Sequence, residues 1–336
     1  MALVFCDSFD HYDNLLQKWS SGVANFNTNL SFVRTGTQSL NPVSAGFPEV
    51  PRINFAHRDT MFCGFAYYPE SFGIEGLQIS YWYNVGTGGE YAELRVDTDG
   101  SLNVFFNNSF TAASNPGVIN TGEFSYLEVG CQFFEGGFLI VRVNGAVVIN
   151  TILGSLGAFT GVDSFLLPGS DVENAYYDDL YLIDDTGAEN NTFLGAIQIF
   201  AILPDADESP LQWTPLASTN VSQVNQEPPP GDAAYVSSNT VGQIDQYHYP
   251  ITGLPSSGYT IKAIQVSFCA RLDSAGSHTV NCQINATTGG APLVGIDAPS
   301  ADYAFVITPW DINPNTGLPF VPSDFATTFI GPNLTS

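Results

Sequence analysis

The chain has 336 residues, with 8 Lys and Arg against 33 Asp and Glu, for a formal charge of −25. A surface this acidic repels phosphate, which argues against nucleic-acid binding and against insertion at anionic membranes. At 44% hydrophobic and 12% charged the chain is not a disordered one, and its length exceeds what one core ordinarily uses, so two domains are expected.

The N-terminal stretch Met1 to Asn14 has a short apolar run, no basic start and early acids. It does not read as a secretory signal, so synthesis in a cytoplasm is the expectation. His11 to Trp19, with Leu15, Leu16 and Trp19 on one side, is the single helix candidate. After it the dominant period is two, the signature of half-buried strands. Leu77, Ile79, Tyr81 and Tyr83 alternate with polar or outward residues. Ala92, Leu94 and Val96 do the same, as do Leu127, Val129, Cys131 and Phe133, and then Leu139, Val141 and Val143. Asp99-Gly100, Gly136-Gly137 and Asn144-Gly145 separate these runs, and each reads as a hairpin turn. Three hairpins in one region predict an antiparallel meander that needs a second sheet to cover its apolar face. Tyr176 to Ile183 closes the first domain, and a new strand is expected from Phe193 to Leu203. Gln226 to Asp232, with Pro228-Pro229-Pro230, is too proline-rich for a central strand and reads as a surface loop of the second domain, with an interdomain linker as the alternative. Ile264 to Arg271 is a further strand, and another is expected near Phe325 to Ile330.

The chemistry-bearing residues are sparse. Cys6, Cys63, Cys131, Cys269 and Cys282 are odd in number and widely spaced, without a C-x-x-C, so free thiols are expected. His11, His57, His248 and His278 are isolated from one another, without metal-ligand spacing. No G-x-S-x-G elbow is present. Glycoside hydrolysis needs two carboxylates facing one bond. Glu123 and Glu128 read as lying on opposite strand faces, and so do the adjacent Asp178 and Asp179. No catalytic or cofactor-binding residue is therefore assigned. Calcium is the one cofactor considered. Asp97-Thr98-Asp99-Gly100 resembles half of an EF-hand loop but reads better as a turn. Asp178, Asp179, Asp184 and Asp185 form the densest acidic cluster and the alternative cation seat. Trp82, Tyr67, Tyr68 and Tyr91 are the rings that could stack on a sugar, if exposed. The sequons at Asn29 and Asn285 read as chance occurrences in an Asn- and Thr-rich chain.

Gly122 to Thr151, with Val141-Arg142-Val143-Asn144-Gly145 as a hairpin, resembles the core of a laminin-G or concanavalin A-like domain. Tyr177-Asp178-Asp179-Leu180-Tyr181 is similar to the strand that closes such sheets, and Asp7-Ser8-Phe9-Asp10-His11-Tyr12 is similar to their opening. A longer ordered set follows: Asn191-Thr192-Phe193-Leu194-Gly195, Gln212-Trp213-Thr214-Pro215, Pro229-Pro230-Gly231-Asp232-Ala233-Ala234-Tyr235 and Ile261-Lys262-Ala263-Ile264-Gln265-Val266. Together these resemble a family of virion structural proteins of tailed bacteriophages, over nearly the whole chain. The resemblance implies a place on the particle rather than a chemistry.

The expectations are therefore these. The fold is all-β, with a concanavalin A-like (laminin-G-like) β-sandwich over residues 1–187 and a β-sandwich or jelly-roll-like domain over 188–336. The function is a non-enzymatic structural protein on the surface of a tailed-phage virion, in tail, collar or head decoration, contributing to host attachment. The alternative is a receptor-binding or carbohydrate-binding adhesin. Expected partners are other virion proteins, further copies of the chain in a homo-oligomer (a trimer above all) and a host surface glycan. Nucleic acid and membrane insertion are not expected.

Overall fold

The computed structural model describes residues 2–22, 24–42, 50–73, 77–84, 89–154, 161–169, 174–251, 254–255, 257–273, 278–285 and 302–335. The chain divides into an N-terminal unit, Ala2–Asp10 with Asn14–Ile199, and a C-terminal unit, Phe200–Ser336 with His11–Asp13.

The N-terminal unit is a sandwich of two antiparallel sheets. One has eight strands: β1 (Leu3–Asp7), β2 (Ala24–Asn27), β3 (Ser39–Pro42), β5 (Thr60–Pro69), β10 (Ser125–Gln132), β11 (Phe138–Val143), β12 (Ala146–Ile152) and β14 (Ala175–Asp184). The other has six: β4 (Arg52–Arg58), β6 (Leu77–Asn84), β7 (Gly89–Val96), β8 (Leu102–Phe106), β9 (Ser109–Ala113) and β13 (Val162–Leu166). The first runs β12-β11-β10-β5-β14-β3-β2, with β1 also paired to β14; the second runs β4-β13-β6-β7-β8-β9.

Alternation assigns the faces. In β5, Met61, Cys63, Phe65 and Tyr67 point inward and are fully buried. Phe65 meets Phe165 of the opposite sheet at 6.3 Å between ring centroids, and the Tyr177 hydroxyl donates to the Ile79 carbonyl at 3.2 Å. Burial of this apolar face is the main stabilising contribution.

The three hairpins form where the turn residues place them. Val96 pairs with Leu102 across Asp99-Gly100, and Val143 pairs with Ala146 across Asn144-Gly145. Asn144 and Gly145 have φ of 49° and 80°, the left-handed pair that a two-residue hairpin requires.

The C-terminal unit is also β. Its four-stranded sheet orders β15 (Ala206–Leu211), β18 (Asp245–His248), β22 (Phe329–Leu334) and β20 (Val280–Ile284). Two-stranded ribbons form from β16 (Thr214–Pro215) with β17 (Val236–Ser237), and from β19 (Ile264–Ala270) with β21 (Ala304–Trp310). A short helix, α1, spans Asn220–Val224. Cys282, Ile284, Trp310, Phe320 and Ile330 form the core, with Ile264, Val266 and Phe268 packed against them. The four-stranded sheet thus faces the β19–β21 ribbon across a small apolar layer, a reduced sandwich.

Four sequence expectations are corrected. His11 to Trp19 is not an α-helix: only Leu15–Gln17 turns, as a 3₁₀ segment capped by Asn14, and Leu16 is 59% exposed. The strand expected from Phe193 to Leu203 does not form, and strand structure resumes only at Ala206. The first unit ends at Ile199 rather than residue 187, because 193–199 is bonded to its sheet. The strand near Phe325 begins at Phe329, since Pro322–Ala326 winds as a 3₁₀ turn held by the Asp324 side chain. Among the described residues no helix is long and apolar enough to cross a membrane. None of the five cysteines is joined in a disulfide.

Candidate functional site

The acidic cluster of β14 is the most chemically loaded place in the N-terminal unit. Strand alternation alone would send Asp178 and Asp179 to opposite faces. Asp179 instead adopts φ 50°, and the pairing of β14 with β5 slips between Asp178 and Tyr181. The resulting bulge turns both carboxylates toward the segment at Arg34. Asp178 Oδ2 accepts from the backbone N–H of Arg34 at 2.8 Å and of Thr35 at 3.0 Å, while Oδ1 accepts from Asp179 N at 2.8 Å. Asp179 Oδ2 takes the Arg34 guanidinium and the Thr35 hydroxyl at 2.9 Å; its Oδ1 accepts from Ile199 N at 2.7 Å.

All four oxygens are thus committed to the chain's own donors, in the positions a cation would need. Burial raises the pKa of both groups; the neighbouring Asp179 charge pushes Asp178 further up, while Arg34 pulls Asp179 back. Asp184 is equally committed, to Arg58 Nε at 2.6 Å and to Thr186 N at 2.9 Å, and Asp185 is exposed. Among the described residues no group of His, Cys, Asp and Glu is arranged to hold a metal. Asp97 and Asp99 cap their hairpin, accepting from Thr98 N at 2.7 Å and Ser101 N at 2.9 Å.

Residues 193–199 form a strap across the outer face of the eight-stranded sheet. Gly195 N donates to Glu128 Oε1 at 2.8 Å, and Leu194 N to the Tyr181 hydroxyl at 3.2 Å. Tyr181 itself donates to Glu128 Oε1 at 2.6 Å. The Arg34 guanidinium donates to the Ile197 carbonyl at 2.6 Å. The Phe193 ring meets Phe62 edge-on at 5.0 Å and lies 3.9 Å beneath the Arg142 guanidinium carbon. Two glycines make room for this. A Cβ on Gly130 would sit 2.6 Å from the Phe193 ring, and one on Gly64 would sit 2.2 Å from the Tyr181 ring. Glu128 is buried as the anchor of the strap, whereas Glu123 precedes β10, is exposed and pairs with Asn120 at 2.6 Å.

Of the rings expected to face a sugar, Trp82 and Tyr67 are core residues, 1% and 0% exposed. The Tyr91 side chain lies outside the described residues. Tyr68 alone is half-buried, on the outer face of β5. It belongs to a cluster that alternation could not reveal, because its members come from four separate segments. Phe32 stacks on Tyr176 at 4.4 Å, and Tyr68 meets Phe32 at 5.4 Å and Phe124 at 5.1 Å.

The remaining motif residues are also locks. Asp7 pairs with buried Lys18 at 2.9 Å and accepts from Trp19 Nε1 at 2.8 Å. Asp10 accepts from Thr37 N at 2.7 Å and Gln38 N at 3.0 Å, and burial raises its pKa against those bonds. In the C-terminal unit, Asp245 gathers Gln212 N, Trp213 N, Asn220 Nδ2 and the Tyr247 hydroxyl, all within 2.6–2.8 Å. Asp232 accepts from Arg271 Nη2 at 2.7 Å and the Tyr303 hydroxyl at 2.8 Å.

The histidines are dispersed, as expected. His57 faces Asp59 at 3.4 Å, His248 faces Asp205 at 2.6 Å, His11 packs edge-on against Tyr12, and His278 is half-buried. Asn29 caps the 3₁₀ turn Leu30–Phe32, its Oδ1 accepting from Ser31 N at 3.1 Å. Asn285 accepts from Phe329 N at 2.6 Å, and the rest of its sequon lies outside the described residues. A cavity of about 10 Å³ beside Trp82 and Glu93 has room for a water and nothing larger.

No family model and no curated protein matches the chain. Solved structures do. An endo-β-1,4-glucuronan lyase from the fungus Trichoderma reesei is 13% identical, over 54% of this chain and 90% of that one, with a TM-score of 0.37. The cellulose-induced protein Cip1 is 10% identical, over 53% and 89%, with a TM-score of 0.37. Carbohydrate-binding module CBM66 from Bacillus subtilis is 10% identical, over 52% and 97%, with a TM-score of 0.33. At such scores no functional argument follows from them.

Proposed function

We propose that the chain is a non-enzymatic structural protein on the surface of a tailed-bacteriophage virion. The observation that carries this reading is the use made of the motif residues. Asp7, Asp10, Asp178, Asp179 and Asp232, the Gln212-Trp213 pair through its bonds to Asp245, and the Phe193 to Gly195 strap all hold segments in place through buried or charge-assisted bonds. The set that resembles the phage family is thus a set of architectural positions, and a rigid, turn-rich β scaffold is what a particle surface requires. In this reading the N-terminal sandwich is presented outward or packed on the particle, and the C-terminal unit serves assembly or attachment. Particles purified from the cells that make this chain, decorated with an antibody against it and imaged, are expected to show label on head, collar or tail. Absence of the chain from purified particles overturns the proposal.

A second reading, contact with a host surface carbohydrate, draws on the half-buried rings Phe32, Tyr68 and Phe124, which cluster with the buried Tyr176. Rings that combine an apolar face with a polar rim suit the C–H face of a neutral sugar. Glycan-array binding that is lost in Phe32→Ala and Tyr68→Ala supports it; an unlabelled array counts against it.

A further inference from the structure

The longest uncharged stretches of the N-terminal unit are two. No charged residue falls between Asp99 and Glu123, and none between Arg142 and Asp163. The first gap contains β8 and β9, the second β12. β9 ends the six-stranded sheet and β12 ends the eight-stranded sheet, and the two strands lie against each other. The uncharged stretches therefore meet along one side of the sandwich, in a protein of formal charge −25.

That side is also apolar. Phe110 of β9 is 62% exposed, and Val147 and Ile152 of β12 are 53% and 64% exposed; the exposed carboxylate of Glu135 lies in the β10–β11 turn beside the end of β12. Edge strands offer a row of unpaired N–H and C=O groups, which soluble proteins ordinarily blunt with Lys, Pro or inward charges. Ser109–Ala113 and Ala146–Ile152 contain none of these. Among the described residues β12 is paired on one side only, and its Ile149–Ile152 half pairs with β11 in unbroken register, presenting a regular edge.

We infer that this side, the adjoining edges β9 and β12, is where a second copy of the chain docks. The occupant follows from the charge. Two copies at −25 repel over most of their surfaces, so contact costs least where carboxylates are missing. Here the same place supplies apolar side chains to bury and a free strand edge to extend. The inference rests on the virion reading only for the homo-oligomer that the resemblance leads us to expect, and it assigns that oligomer an interface.

The test is the association state of the full chain, by light scattering and sedimentation velocity. It compares wild type with Val147→Lys, Ile152→Lys and the control Leu30→Lys, which adds the same charge at a distant exposed residue. Wild type and Leu30→Lys are expected to associate, more tightly as added salt screens repulsion. Each β12 lysine should weaken association at least about tenfold while thermal unfolding stays unchanged. Ile152 is the more exposed position, so its variant keeps the test valid if Val147→Lys folds poorly. A monomeric wild type overturns the inference, and so does an oligomer indifferent to both lysines. That second result leaves the virion reading standing, whereas absence from purified particles removes that reading and leaves the interface intact.

Discussion

Lys18 is one of eight basic residues in the chain, and its side chain is 1% exposed beside the fully buried Asp7. Removing one partner of such a pair leaves an uncompensated charge in the core. Lys18→Met is therefore expected to cost about 3 kcal/mol in urea unfolding of the N-terminal unit, whereas an exposed ion pair would cost far less. Asp10, Asp178 and Asp179 make stability depend on pH. Their folded pKa values lie above the unfolded value near 4, so the folded state holds their protons more tightly. The stability they contribute is fully present below about pH 4 and is lost as pH rises through the folded values. The melting temperature of wild type is expected to fall from mildly acidic to neutral pH, and Asp178→Asn should flatten that slope. An unchanged slope in the variant would assign the pH dependence to other groups.

Elements formed where the deciding physics was local. The Asn144-Gly145 hairpin was legible because two adjacent residues that tolerate positive φ leave few other conformations. The alternation in β5, β6 and β10 was legible because one face of each strand meets the core. The bulge at Asp179 was not legible, since a non-glycine residue with positive φ is stabilised there by the distant Arg34 and Thr35. The strap was misread for the same reason. Phe193 to Leu203 is apolar enough to look like a strand, yet its backbone bonds go to the side chains of Glu128, Tyr181 and Asp179 rather than to a neighbouring strand. Of the cluster of Phe32, Tyr68, Phe124 and Tyr176 the sequence pointed to Tyr68 alone, and it named beside it Trp82 and Tyr67, which burial removes from any surface role. The strap makes a direct prediction. In Gly130→Ala the added methyl sits 2.6 Å from both the Phe193 and the Phe62 ring and forces that ring pair to shift, at an overpacking cost of about 1–3 kcal/mol. Limited proteolysis should then cut within 193–199 while circular dichroism keeps its β signal; resistance equal to wild type would show that the ring has another seat.

At the scale of the whole molecule, the boundary between units lies at Ile199 and not at the turn after β14. A chain ending at residue 199 is expected to fold as a sandwich with a higher melting temperature than one ending at residue 187. The shorter chain loses Phe193, the Gly195 bond to Glu128 and the Ile199 bond to Asp179, leaving two buried carboxylates short of donors. Equal melting temperatures would make the strap energetically idle. A last consequence concerns order in time. Leu3 of β1 pairs with Ile183 of β14, so the opening strand of the sandwich waits for its closing one. During synthesis the β10–β11–β12 meander can form from contacts close in sequence, but the eight-stranded sheet cannot close until Asp184 has left the ribosome. Closing this unit thus requires joining two distant segments of one polypeptide, a step whose entropic cost grows with the loop between them, and long-range pairings of this kind place all-β chains among the slow folders. While it waits, the nascent chain carries its uncharged, unblunted edges into a crowded polysome, where pairing with a neighbouring copy competes with closure.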